Sequence, residues 1–294
     1  MSAGSVGFIG VGNMGGAMAL RLLELGWQVG VRDVDAACEA GCVRHGAQAF
    51  ATPAALAAAH RVVVVAVVDA AQSEAVLFGA DGAVAAWQTQ GACVVLCPTL
   101  GPASTESIAS RLAALGIGCI DAPMSGGPGR ARDGSMSLML ACSDALFESR
   151  RALVEALSSN LFRVGEKPGD GARTKLVNNL LAAINLAGAA EAIALAERIG
   201  LDPARTLAVI EQSSGQSWIG SDRMRRALAG DFAPRAHTTL LAKDSRLAIE
   251  MAAQAGFEAQ LGRVAARCLR EACDAGFGGL DDASLLELLR KAGS

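Results

Sequence analysis

Three glycines follow the first apolar run of the chain, and an acid stands a fixed distance beyond them. The run is Val6-Gly7-Phe8-Ile9, and the turn reads Gly10-Val11-Gly12-Asn13-Met14-Gly15. A helix-period stretch with Met18, Leu22 and Leu23 comes next. A second strand, Gln28-Val29-Gly30-Val31-Arg32, then ends at Asp33, 18 residues past Gly15. Strand, tight glycine turn, helix, strand and acid form the context in which a G-x-G-x-x-G turn binds a dinucleotide. Gly10 permits the tight turn, Gly12 lets the backbone approach a pyrophosphate, and Gly15 lets the helix pack on the strand. The pyrophosphate then faces unpaired N–H groups and the positive end of a helix dipole.

Bulk properties narrow the class further. The chain has 294 residues, of which 52% are hydrophobic and 19% charged, and its net charge is −3. A sizeable core is easy to build, in one large or two ordinary domains. No basic stripe is visible, which argues against nucleic acid as a partner. The first residues carry no charged segment or cleavage site, so no signal peptide is expected. The most apolar run, Val62 to Val68, is far shorter than the roughly 20 residues a spanning helix needs. A cytoplasmic protein without a membrane partner is therefore expected. Eight cysteines are scattered along the chain, with two C-x3-C pairs (Cys38/Cys42 and Cys93/Cys97), and there are only three histidines. Free, mostly buried thiols and no metal site are expected.

The first half alternates apolar strands with helices, which predicts a parallel sheet covered on both faces. Asp35 to Gly41 reads as a helix. Thr52-Pro53 reads as the N-cap and first position of another. Val62 to Val68, Cys93 to Leu96 and Gly118 to Asp121 read as buried strands, with a helix from Ser104 to Leu115. Ser137 to Cys142 and Leu161 to Val164 add strands around a helix beginning near Asp144, and their direction is left open. The pattern changes at Gly165-Glu166-Lys167-Pro168-Gly169. Beyond it, Asp170 to Ile199 is one long helix ended by Gly200, roughly 45 Å at 1.5 Å per residue. Asp202-Pro203 starts another helix, and Lys243 to Gln254, Gln260 to Ala275 and Asp282 to Lys291 continue the series. The expected division is a Rossmann-type, doubly wound α/β domain over 1–165 and an all-helical domain over 166–294, connected by the helix at about 170–199.

In an open parallel sheet, ligands bind beyond the C-terminal strand ends. Asp121-Ala122-Pro123-Met124-Ser125-Gly126-Gly127 follows one such end. Ser125 offers a hydroxyl and Gly126 and Gly127 offer backbone N–H groups, a combination suited to a carboxylate. Lys175 and Asn179 stand one helical turn apart among Ala, Leu, Val and Ile. Burial favours a neutral lysine, which suits proton exchange with an alcohol or carbonyl oxygen. A snorkelling surface lysine and a plain glycine-rich loop are the ordinary alternatives for these two features.

With these motifs in order, the chain resembles the β-hydroxyacid dehydrogenases over essentially its whole length. That group contains 3-hydroxyisobutyrate dehydrogenase, tartronate semialdehyde reductase and the L-threonate dehydrogenases. The carriers are Gly7 to Gly15, Asp121 to Gly127, Gly171-Ala172-Arg173-Thr174-Lys175-Leu176-Val177-Asn178-Asn179, and Lys243-Asp244. Segments 69–79 and 213–218 resemble the threonate-type members. The resemblance implies a Rossmann domain, a long connecting helix, a helical second domain, and homodimers or homotetramers. It implies Lys175 as general acid/base, and Ser125, Gly126, Gly127 and Asn179 as the substrate contacts. Gly10, Val11, Gly12, Asn13, Met14, Gly15, Asp33, Thr99 and Lys243 are the implied cofactor contacts. Cys97-Pro98-Thr99 departs from the usual Ser-Ser-Thr, and Pro98 lacks an N–H. Trp218, Arg223 and His237 are further pocket candidates with no assigned role.

Asp33 can accept bonds from both adenosine ribose hydroxyls and repels a 2′-phosphate, which favours NAD over NADP. Arg32 works against this, since a guanidinium can pair with a phosphate, although alternation along the strand points it away from Asp33. The expected activity is NAD-dependent oxidation of a small β-hydroxy acid of the 3-hydroxyisobutyrate, D-glycerate or L-threonate type to its semialdehyde or keto acid. The alternatives are an NADPH-dependent reductase of short aldehydes such as glyoxylate, succinic semialdehyde or tartronate semialdehyde, an imine reductase, and a non-catalytic NAD-binding protein.

Overall fold

The structure is a computed structural model and describes residues 4–87 and 91–291. The outermost residues of the expected domains, 1–3 and 292–294, lie outside this range. The chain divides into two compact units, Met1–Lys175 and Leu176–Ser294.

The first unit runs β1 (Ser5–Ile9), α1 (Asn13–Glu24), β2 (Gln28–Arg32), α2 (Ala36–Val43), β3 (Gln48–Ala49), α3 (Pro53–Ala59), β4 (Val62–Val65) and α4 (Ala70–Phe78). It continues with β5 (Cys93–Leu96), α5 (Pro102–Ala114), β6 (Gly118–Asp121), β7 (Met124–Ser125), α6 (Gly127–Asp133), β8 (Ser137–Ala141), α7 (Asp144–Leu157), β9 (Asn160–Gly165) and the start of α8 (Asp170–Arg198). The sheet order is β3-β2-β1-β4-β5-β6-β8-β7, with β9 also pairing with β8. Strands β1 to β6 are parallel, β8 is antiparallel to β6 and β7, and β9 is parallel to β8. The order reverses at β1, which places a crevice at the C-terminal ends of β1 and β4.

Both faces of the sheet are buried because successive side chains point to opposite sides. Val64, Val95 and Phe8 pack with Met18 and Leu22 of α1 and Leu153 of α7. Val63, Val65, Val94 and Leu96 pack with Leu56, Leu77, Ile108 and Leu112 from α3, α4 and α5. At about 25 cal/mol per Å² these strands and helices supply the dominant favourable free energy of the unit. The expected strand from Val62 to Val68 stops at Val65: the Ala66 N–H still donates to the Ile9 carbonyl at 2.8 Å, and Asp69 then caps α4 through the Gln72 N–H. The helix expected from Ser104 starts at Pro102, whose missing N–H costs nothing at a first helical position. Thr52 caps α3 as expected, accepting from the Ala55 N–H at 3.0 Å.

In the second unit the body of α8 is followed by α9 (Pro203–Glu211), α10 (Trp218–Leu228), α11 (Thr238–Gln254), α12 (Gln260–Ala272) and α13 (Leu285–Lys291). Leu186, Ala190 and Ile193 of α8 pack with Met224, Leu241, Leu269 and Leu285. Helix α8 ends at Arg198. Gly200 adopts φ +83°, and the Leu201 N–H donates to the Ala196 carbonyl at 2.9 Å. Three helix limits differ from expectation. Helix α11 begins five residues early at Thr238, α12 stops at Ala272 before a wide turn, and α13 is preceded by a tight turn at Asp282–Ser284. Helix α10 was not expected from the sequence. By length and composition α8 would suffice to cross a membrane, yet Lys175, Asn179 and Glu191 interrupt it and one face lies in the core.

Candidate active site

The glycine turn is built as its sequence demands. Gly10 has φ +88°, and a Cβ there would sit 2.7 Å from the Ala66 carbonyl oxygen. A Cβ on Gly15 would strike the Gly10 carbonyl oxygen. Gly12 is different, because nothing lies within 4 Å of where its Cβ would be. This bare space in front of the first turn of α1 is what a pyrophosphate requires. Val11, Asn13 and Met14 complete the turn, and Asn13 and Met14 already belong to α1.

Asp33 sits against this turn. Its Oδ2 accepts the Val11 N–H at 2.6 Å, and its Oδ1 accepts the Asp35 N–H at 2.9 Å. Each oxygen keeps a second lone pair for a ribose hydroxyl. The residues present therefore fit an adenine dinucleotide. Alternation starts Arg32 toward the other face, but its guanidinium folds back into the β2–α2 turn and donates to the Asp33 carbonyl and to Glu39.

Beyond β5, Cys97 is buried, and burial pushes its thiol up to about 12. Pro98 and the half-buried Thr99 then lead to Gly101, which caps α5. Beyond β6, Ser125 lies in the two-residue strand β7 opposite Ser137. Gly126 and Gly127 have φ +127° and +75°, a left-handed pair that glycine tolerates, and α6 begins at Gly127. The segment is thus a strand–turn–helix junction rather than a loose loop.

Asp121 is the last residue of β6 and opens the motif that leads to Ser125. Its Oδ2 accepts the N–H groups of Gly169 (2.7 Å) and Ala172 (3.0 Å), capping the start of α8. Burial pushes this carboxyl up to about 6, against the pull of those backbone N–H groups. Lys175 lies on the second turn of the capped helix and is only 7% exposed.

In the second unit Asn179 is equally buried and both ends of its amide are engaged. Its Oδ1 accepts from Asn178 at 3.0 Å, and its Nδ2 donates to Asp244 Oδ2 at 2.6 Å. Lys243 Nζ lies 2.9 Å from Asp244 Oδ1, off the axis of a hydrogen bond, so this buried oxygen keeps accepting capacity. Arg223 is buried in ion pairs with Asp222 and Asp282. It holds the C-terminal segment to α10 and is engaged there rather than presented to a ligand. His237 stands at the N-cap position of α11, and its Nδ1 bonds the Gly279 carbonyl at 3.0 Å instead of a helix N–H. Trp218 is half exposed at the start of α10, with Arg223 6.0 Å from its ring.

A cavity of 440 Å³ lies elsewhere in the first unit, lined among others by Glu106, Cys119, Cys142, Ser143 and Glu166. None of the candidate site residues lines it. That groove therefore carries none of the candidate chemistry.

Known proteins resemble this chain in sequence and fold. Residues 5–165 match the profile of the NAD-binding domain of 6-phosphogluconate dehydrogenase. Residues 169–289 match that of the NAD-binding region of NADP-dependent 3-hydroxyisobutyrate dehydrogenase. An L-threonate dehydrogenase of Cupriavidus necator is 35% identical over 97% of this chain and 95% of its own. The crystal structure of a 3-hydroxyisobutyrate dehydrogenase from Salmonella typhimurium superposes with a TM-score of 0.90 at 33% identity, covering 97% of this chain and 99% of that one. Psf3 in complex with NADP+ and 2-OPP also gives a TM-score of 0.90, at 27% identity and the same coverage. Match over nearly the full length, at this identity and with the glycine turn, the Ser-Gly-Gly junction and the buried lysine in place, assigns the chain to the β-hydroxyacid dehydrogenase family, whose members are NAD(P)-dependent oxidoreductases acting on CH–OH groups.

Proposed function

We propose that the protein oxidises a small β-hydroxy acid, of the 3-hydroxyisobutyrate, D-glycerate or L-threonate type, with NAD as acceptor. The observation that carries this is a lysine 7% exposed on a helix whose first turn is capped by Asp121, four residues before Ser125. Ser125 Oγ and the N–H groups of Gly126 and Gly127 hold the substrate carboxylate. Lys175 Nζ takes the hydroxyl proton during oxidation and returns it during reduction. Asn179, fixed by Asp244, orients the substrate oxygen. The Gly10–Gly15 turn, Asp33, Thr99 and Lys243 hold the dinucleotide. When bound, the nicotinamide supplies the acceptor for the hydride lost from the carbinol carbon. Similarity to an L-threonate dehydrogenase supports a polyhydroxylated acid within the substrate panel.

A second reading, an NADPH-dependent reductase of short aldehydes, draws on Arg32 at the end of β2 and on the NADP+ complex of a solved relative. Absorbance at 340 nm separates the two. The purified protein is assayed with NAD and NADP separately against 3-hydroxyisobutyrate, D-glycerate, L-threonate and short aldehydes. A rate with NAD and one hydroxy acid is expected. Activity confined to NADPH and an aldehyde overturns the first reading, and tight NAD(H) binding without turnover supports a non-catalytic protein.

We further propose a cytoplasmic homodimer or homotetramer, with a Rossmann domain over 1–165 and a helical domain over 166–294. Support for self-association comes from Val177, Leu181 and Leu195, an exposed apolar stripe on α8 opposite its core-facing side, with exposed Ile199 just past the helix end.

A further inference from the structure

The end of β2 holds one base among three acids: Arg32, with Asp33, Asp35 and Glu39. An arginine at this position is the group that accommodates a 2′-phosphate in NADP-binding folds of this type. Here the guanidinium is engaged. Its Nη1 donates to the Asp33 carbonyl and to Glu39 Oε1 at 3.1 Å. The same Glu39 oxygen accepts the Asp33 N–H at 2.7 Å, so the carboxylate is anchored to the backbone of the turn. Both side chains are mostly shielded, with 27% of Arg32 and 18% of Glu39 exposed. Shielding of this degree weakens solvent screening and strengthens the pair relative to a surface ion pair.

We propose that Glu39 is a selectivity residue for the dinucleotide, holding Arg32 in the β2–α2 turn and withholding it from a 2′-phosphate. Selectivity then rests on two acids with separate tasks. Asp33 accepts from the ribose, and Glu39 occupies the cation that would otherwise neutralise a phosphate. This inference rests on the NAD reading above.

The test uses binding, independent of turnover. Calorimetric titrations with NAD+, NADP+, AMP and adenosine 2′,5′-bisphosphate are run on the wild type, Glu39→Gln, Arg32→Ala and the double variant. The glutamine keeps an oxygen for the Asp33 N–H and loses the charge. In Glu39→Gln the affinity for NADP+ and for the bisphosphate rises about tenfold, as expected for one released charge-assisted contact, while NAD+ and AMP change less than about threefold. The gain disappears in the double variant and shrinks with added salt. Arg32→Ala alone leaves NADP+ affinity within about twofold of wild type, because the arginine is already withheld; this arm stands even where Glu39→Gln fails to fold. A wild type that prefers NADP+ overturns the NAD reading and this inference together. A wild type that prefers NAD+, with an unchanged NADP+/NAD+ ratio in Glu39→Gln or a large NADP+ loss in Arg32→Ala, overturns the role of Glu39 alone.

Discussion

Lysine is among the residues least often buried, and Lys175 is 7% exposed. If it exchanges the substrate proton, Lys175→Ala lowers kcat by about 10²–10⁴-fold, the usual worth of a positioned acid/base, and leaves the NAD+ dissociation constant within about threefold. Turnover within about fivefold of wild type would remove Lys175 from the chemistry. The burial of Lys175 and Asn179 was legible because these polar residues stand among Ala, Leu, Val and Ile on a long helix. Asp244 and Glu39 were not. A Lys-Asp neighbour pair on a helix reads as a surface ion pair, and only folding shows that Asp244 bonds an amide 65 residues away. Glu39 reads as a favourable acid in the first turn of α2, and its bonds to Arg32 and Asp33 exist only once the turn is formed.

Strands buried on both faces were the easiest elements to read. Cys93–Leu96 and Gly118–Asp121 fall where their apolar runs predict. Strands of two residues, β3 and β7, carry too little pattern to be seen. Helix α10 was hidden for another reason. Its buried side includes Arg223 and Arg226, and these break the apolar period because Asp281 and Asp282, more than fifty residues later, neutralise them. The cap on α8 makes a measurable claim. Burial raises Asp121 to about 6 from an ordinary value of 3.8, so the folded protein holds a proton that the unfolded chain releases between those values. The stability contributed by this group is present below pH 4 and is lost as the pH rises through 6. Denaturation of wild type and Asp121→Asn at pH 4, 5, 6 and 7 therefore shows the wild type losing about 2 kcal/mol relative to the variant across that range. A difference that stays flat with pH refutes the shift.

At the scale of the molecule, each unit has its own core, but α8 is apolar on more than the side that enters the second one. Its exposed side carries Val177, Leu181 and Leu195 in one stripe, and such a stripe calls for cover. Placing a charge on the exposed stripe, Leu181→Glu with Leu195→Glu, is expected to reduce the sedimenting mass of the protein by half or more while the far-ultraviolet spectrum stays helical. A wild type that sediments as a monomer removes the proposal. The same helix also limits how the chain can be divided. Its N–H groups at Gly169 and Ala172 are satisfied by a carboxylate 48 and 51 residues upstream, inside the first unit. A fragment begun at Leu176 would start in mid-helix, with bare N–H groups, no cap, and its apolar stripe still exposed. The division at Leu176 is therefore one of contacts, and a second unit expressed from that residue is expected to aggregate.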